Sequence, residues 1–328
     1  MPPAEKRRAF LFFSPFLIII FRFIPFNFSG HSLLYHFYSL RQTIFLLFSP
    51  HRLCSIAYFW LTLHRQTGPC ASARHKNDQI KIIMDIKNRR TIRRYTTQGV
   101  DNQLLTRLLK EASQTPTMGN LQLYSVVVTR DAAAKQRLAP THFNQPMVTQ
   151  APVVLTFCAD FRRTTLWAKE RQATPGYDNF LSFINAATDA LLYCQSFCNL
   201  AEAEGLGTCF LGTTVYQPDA LIDALQLPRL VMPVATITLG WPDEQPALQD
   251  RLPIEAILHD EHYHDYTPTS IDRCYAEKEN LEVNREFVRI NHKETLAQVF
   301  TDLRYTKKDN EAMSAGLIKA LRRQGFMD

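Results

Sequence analysis

Several signatures of common chemistries are missing from the 328 residues. The seven cysteines include no C-x-x-C pair, and their odd number and irregular spacing fit neither a disulfide framework nor a zinc ribbon, which suits a reducing compartment, the cytoplasm. There is no H-E-x-x-H, no facial-triad spacing, no G-x-S-x-G elbow and no phosphate-cradling P-loop. Residues 1–83 have almost no acid, with Glu5 and Asp78 set against ten Lys and Arg. The net charge of +6 therefore comes from that segment. The rest carries 27 cations against 29 acids, a near-neutral body that argues against a broad nucleic-acid surface.

The first 83 residues also hold twelve of the 22 phenylalanines, concentrated around Phe10–Phe28. A basic flank followed by an apolar run reads as a membrane anchor. Arg22, Pro15 and Pro25 interrupt that run, however, leaving barely the ~20 residues a spanning helix needs. No small-residue cleavage site follows closely, which argues against a secretory signal. The other reading is a start-site error, with the protein proper beginning at Met84.

What is present is a concentration of cations in one place. Arg89-Arg90-Thr91-Ile92-Arg93-Arg94, closed by Tyr95, packs four guanidiniums and a hydroxyl into six residues. Guanidinium forks match phosphate oxygens, so the guest expected from this run is a phosphorylated small molecule; a solvated basic strand or a nucleic-acid patch is the alternative.

One helix later comes Pro116-Thr117-Met118-Gly119-Asn120-Leu121-Gln122. In order and spacing the two segments resemble the FMN-dependent nitroreductases, whose chains open with Arg-Arg-Ser-x-Arg-x-Phe/Tyr followed by Ser-x-x-Asn-x-Gln-Pro. Thr91 and Thr117 replace serines and keep the hydroxyl, while Leu123 replaces a proline. Further on, Gly205-Leu206-Gly207-Thr208 and Gly240-Trp241-Pro242 are similar to the family's Gly-Leu-Gly-Thr and Gly-Tyr-Pro landmarks. The G-x-G here follows a helix and enters a strand, the reverse of a dinucleotide fingerprint.

Periodicity fills in the elements. Asp101–Gln114 carries a helical apolar stripe with Asp101 as its N-cap. Tyr124–Thr129, Pro152–Ala159 and Leu230–Leu239 read as buried strands, and Pro218–Leu225 as a short helix. Asn179–Glu204 reads as a nearly all-round apolar helix ending at Gly205, a left-handed cap. Cys194 and Cys198, one turn apart within it, are expected to pack in the core. The tail reads as polar at first and helical from Lys293 onward.

The expected fold is α+β and nitroreductase-like, with a mixed, mostly antiparallel sheet flanked by helices. Its domains are expected to be residues 1–83 outside the fold, an FMN-binding domain at 84–257 and a helical C-terminal extension at 258–328. The resemblance implies that Arg89, Arg90 and Thr91 hold the FMN phosphate and ribityl chain, with Arg93 near the phosphate or the pyrimidine edge. Pro116 and Thr117 are expected among the cofactor-binding residues, Asn120 and Gln122 would meet the polar edge of the ring, and Leu211 and Gly212 would pass beside it. Arg251 would close on the phosphate although the family's accompanying lysine is absent, and Arg94 is either a ligand or a surface partner. No side chain is expected to act as a lone catalytic acid, because the flavin carries the hydride. The implied activity is NAD(P)H-dependent reduction of a nitroaromatic, quinone or flavin by ping-pong transfer, in a homodimer with flavin at the interface. The same scaffold also admits dehalogenation, flavin breakdown or, with a real anchor, a membrane-tethered binding protein without turnover. His259-Asp260-Glu261-His262-Tyr263-His264-Asp265 invites a metal reading, but the expectation is a solvated acidic loop and no metal.

Overall fold

In the computed structural model, residues 86–328 are described; the apolar run, the anchor question and Met84 lie outside them. After a single turn at Ile86–Asn88, the arginine run is extended and leads into α1 (Asn102–Ala112). Asp101 caps α1 through Oδ2, which accepts from Gln103 N at 2.7 Å and Leu104 N at 3.0 Å. There follow β1 (Tyr124–Thr129), α2 (Ala132–Leu138), α3 (Pro146–Gln150), β2 (Val153–Asp160), α4 (Arg162–Glu170), α5 (Phe180–Ala203) and β3 (Gly207–Leu211). The body then continues through α6 (Pro218–Leu225) and β4 (Val231–Gly240).

The four strands form one sheet in the order β1-β2-β4-β3, and every pairing is antiparallel. The mixed sheet expected from the sequence is therefore corrected to an antiparallel one among the described residues. Every residue of β2 and β4 is buried, because helices cover both faces of these central strands. Alternation along β2 divides the packing. Val153, Leu155, Phe157 and Ala159 face a large core with α1 and α5, whereas Val154 faces a smaller cluster with Leu138, Met147, Cys209 and Leu221.

Helix α5 is the backbone of the large core. Asn179 caps its start, Oδ1 accepting from Ser182 N at 3.0 Å, and Gly205 leaves its end at φ +85°, a conformation that favours glycine. Cys194 and Cys198 are buried there as free thiols.

The tail departs from the sequence expectation. Its polar first part is helical, forming α7 (Pro268–Asn280) and α8 (Glu282–Ile290), before α9 (Leu296–Val299) and α10 (Lys307–Gln324). A reciprocal cap at Thr267 and Ser270 starts α7, and only Cys274 in α7 and Asn284 in α8 are buried. So few apolar anchors give little period to read. At the far end α10 enters the core: Leu321 and Phe326 are buried, and the Gln324 amide donates to the carbonyl of Pro228 at 3.1 Å. Among the described residues, no helix is long and apolar enough to cross a membrane.

Candidate active site

The arginine run is strapped across the end of the sheet. Ile92 N donates to Thr208 O at 3.0 Å, and Thr96 N to Trp241 O at 2.9 Å. The Tyr95 hydroxyl lies 2.7 Å from both Ile92 O and Thr238 Oγ1, buried deeply enough that its pKa rises far above the ordinary value. Two glycines permit this closeness. A Cβ on Gly207 would fall 2.7 Å from Ile92 Cβ, and one on Gly240 would fall 2.6 Å from Pro152 Cδ and 2.8 Å from Tyr95 Cδ1.

The four guanidiniums have different neighbours. Arg89 forms an ion pair at 3.2 Å with Glu202 near the end of α5, and donates to Thr208 Oγ1 at 3.3 Å and Thr91 Oγ1 at 3.4 Å. Burial raises the Glu202 pKa, while Thr208 and Arg89 draw it back. Arg94 pairs with Glu244 at 3.2 Å, and the same carboxylate accepts from the backbone N–H groups of Arg93 and Arg94. Of its two sequence readings, the surface partner is the one observed. Arg90 donates through Nη1 to Asn88 O at 3.0 Å, but its buried Nε has no acceptor. Among the described residues the Arg93 guanidinium has no ion pair; its field and that of Arg89 oppose the rise that burial imposes on the Cys209 thiol in β3. Of these two cations near β3, Arg93 is the one with binding capacity to spare.

The second predicted segment is a tight loop before β1. Gly119, Asn120 and Gln122 all take positive φ, at 55°, 56° and 49°. Asp189 of α5, almost fully buried, holds both ends of the loop: Oδ1 accepts from Met118 N at 2.9 Å and Oδ2 from Leu123 N at 3.1 Å. Arg163 of α4 donates to Gln122 O and to Tyr124 O. Gln122 Nε2 donates to Asn120 O at 2.7 Å and to Asn120 Oδ1. Asn120 Nδ2 and Gln122 Oε1 remain free among the described residues, a donor beside an acceptor. Pro116 and Thr117 lead into this loop, where Thr117 makes no capping bond with its side chain.

Leu211 is buried at the end of β3, and nothing lies within 4 Å of where a Gly212 Cβ would stand. Behind this turn the His142 ring is fully buried, with Nδ1 2.8 Å from Thr213 Oγ1 and Nε2 without a partner. Arg251 stands apart from the strap on an exposed coil, bonded through Nη1 to Asp250 O at 2.8 Å, while Lys278 of α7 pairs with Asp250 at 2.6 Å. In the histidine-rich loop, His259 stacks on Tyr263 at 4.2 Å between centroids, and the His262 and His264 rings lie tilted at 4.3 Å.

The sequence model of the nitroreductase family matches residues 86–241. An NAD(P)H-dependent FMN reductase of Bacillus subtilis strain 168 is 31% identical over 221 residues, covering 66% of this chain and 86% of the relative. This chain belongs to the nitroreductase family. A crystal structure from Bacteroides fragilis NCTC 9343 is 61% identical to this chain, with TM-score 0.73, over 74% of this chain and 99% of that one. The NfrA1 nitroreductase of B. subtilis is 26% identical, with TM-score 0.65, over 75% of this chain and 98% of that one.

The sequence motifs missed the residues that hold them in place. Asp189, Glu202, Arg163 and Glu244 lie 39 to 151 positions from the strap and loop groups they bind. A buried acid within the otherwise apolar α5 was the one available signal, at Asp189.

Proposed function

We propose that this chain is an FMN-dependent oxidoreductase that uses NAD(P)H to reduce nitroaromatic, quinone or flavin acceptors in alternating half-reactions. Arg90 and Arg93 carry the reading: within one strap, a buried guanidinium nitrogen without an acceptor and a cation without an ion pair among the described residues offer the donors that a phosphate dianion requires. The name of the B. subtilis relative supports FMN and NAD(P)H. Bound FMN would supply the exchange of hydride between nicotinamide and acceptor.

The chain's own residues bind, orient and exclude. Arg90 and Arg93, with the Thr91 hydroxyl, would hold the phosphate end, and Arg251 would approach it from the coil. Arg89 is committed to Glu202 and Thr208, so its main task is to fasten the strap from which Arg90 and Arg93 project. Asn120 Nδ2 and Gln122 Oε1 would pair with an acceptor and a donor on the ring edge, and Leu211 and Gly212 would leave room for a flat ring.

The loop and the strap are fixed to opposite parts of α5, at Asp189 and Glu202, about 20 Å apart along a helix rising 1.5 Å per residue. That separation favours a homodimer in which the loop of one protomer faces the strap of its partner. The exposed Leu181, Ile184, Leu191 and Leu192 on α5 supply an apolar face for such a contact. The cysteine spacing suits a reducing compartment such as the cytoplasm.

The test is direct. The purified protein should carry a yellow cofactor that NAD(P)H bleaches, and Arg93→Gln should weaken FMN retention by ~1.5–3 kcal/mol, the worth of a hydrogen bond to a charged group. A colourless protein indifferent to added FMN would overturn the reading.

A further inference from the structure

A second cationic site lies away from the strap. Arg162 and Lys169 of α4 and Arg229, just before β4, line a cavity of about 290 Å³ with Thr165, Tyr177 and Asp178. No lining residue belongs to the strap, the Asn120–Gln122 loop or the Gly212 turn.

Two observations make this more than a basic surface. First, several cations on other helices are paired: Arg107 with Glu111 and Glu204, Arg285 with Glu282, Arg289 with Glu286, and Arg323 with Asp219 and Asp223. The side chains of Arg162, Lys169 and Arg229 have no ion pair or hydrogen bond among the described residues, and Asp178 leaves the lining with a surplus of two positive charges. Second, Thr165 lines the cavity and its buried hydroxyl has no hydrogen-bond partner among the described residues, an arrangement that costs free energy while it stays unmet. Arg229 is also confined, since a Cβ on Gly325, where the backbone has φ +77°, would collide with its guanidinium. One of the cations is thus placed by the end of α10.

We infer that this cavity binds a small polyanion, a phosphate or carboxylate compound, independently of the flavin site. Two guanidiniums and an ammonium would contribute charge-assisted donors, and the Thr165 hydroxyl a further one.

The experiment uses the full chain saturated with FMN, so that the strap is occupied, and follows calorimetric titration with sodium pyrophosphate in one arm and citrate in the other. One arm is expected to show saturable binding of one anion per chain, and the tighter arm identifies the ligand chemistry. Arg162→Gln combined with Arg229→Gln should weaken it at least tenfold. Lys169→Gln, on the exposed side of α4 and without a packing role, should weaken it several-fold even where the double variant fails to fold. Arg93→Gln should leave it unchanged. The site is refuted by the absence of saturable binding in both arms, by equal affinity in Lys169→Gln, or by loss of binding in Arg93→Gln.

Discussion

At the scale of single residues, identical letters have different tasks according to what the fold brings beside them. Arg89 and Arg94 are tied to carboxylates, whereas Arg90 and Arg93 keep donors free. The sequence could show that four cations share six positions, but not this division of labour, because Glu202 and Glu244 arrive from more than a hundred residues away. His142 is another residue whose state depends on its surroundings. Burial pushes its pKa down to about 4, so the folded protein holds it neutral while the unfolded chain takes up a proton near the ordinary value of about 6.5. Its contribution is complete above pH ~6.5 and is lost as pH falls toward 4, a difference of ~3 kcal/mol at 1.36 kcal/mol per pKa unit. Urea unfolding at pH 7.5 and pH 4.5 should show a loss of stability that is smaller by about this amount in His142→Gln. An equal loss in both proteins would count against the buried neutral ring.

At the scale of elements, the sequence was informative where one side chain or one periodicity decides the outcome. Asp101 caps the helix expected of it, the helix read from Asn179 onward begins with that residue as its cap, and Gly205 ends α5 in the left-handed conformation. The strand at Tyr124–Thr129 and the helix at Pro218–Leu225 lie where the pattern put them. Helices α7 and α8 escaped because they bury so little that an apolar stripe is not required of them. Strand direction escaped as well, since pairing between Val153–Asp160 and Val231–Gly240 is a long-range outcome with no local cue. The strap makes the sharpest prediction at this scale. Gly207→Ala would force a methyl against Ile92 and lift the strap from β3, at a cost of ~1–3 kcal/mol typical of overpacking. Thermal unfolding should register that loss, and FMN affinity should fall with it although no flavin-facing side chain has changed. Retained affinity would separate the strap from the cofactor.

At the scale of the molecule, α5 faces two ways. One side fills the large core, while the other presents Leu181, 68% exposed, together with Leu191 and Leu192, each 43% exposed. A charge placed there distinguishes a dimer contact from a tolerated exposed patch. Leu191→Arg should shift the protein from dimer to monomer in light scattering and release FMN in parallel, if each site takes its loop from the partner. A dimer unaffected by Leu191→Arg, or a wild-type protein that is monomeric with flavin bound, would contradict that arrangement.

The burial of Phe326 constrains when the core can close during synthesis. Its ring contacts Phe183 of α5 at 5.6 Å between centroids, and Phe326 N donates to Leu321 O at 2.9 Å. While the ribosome still shields Phe326, β4 and α5 wait with an uncovered apolar gap, so this part of the core closes only once that residue has left the exit tunnel.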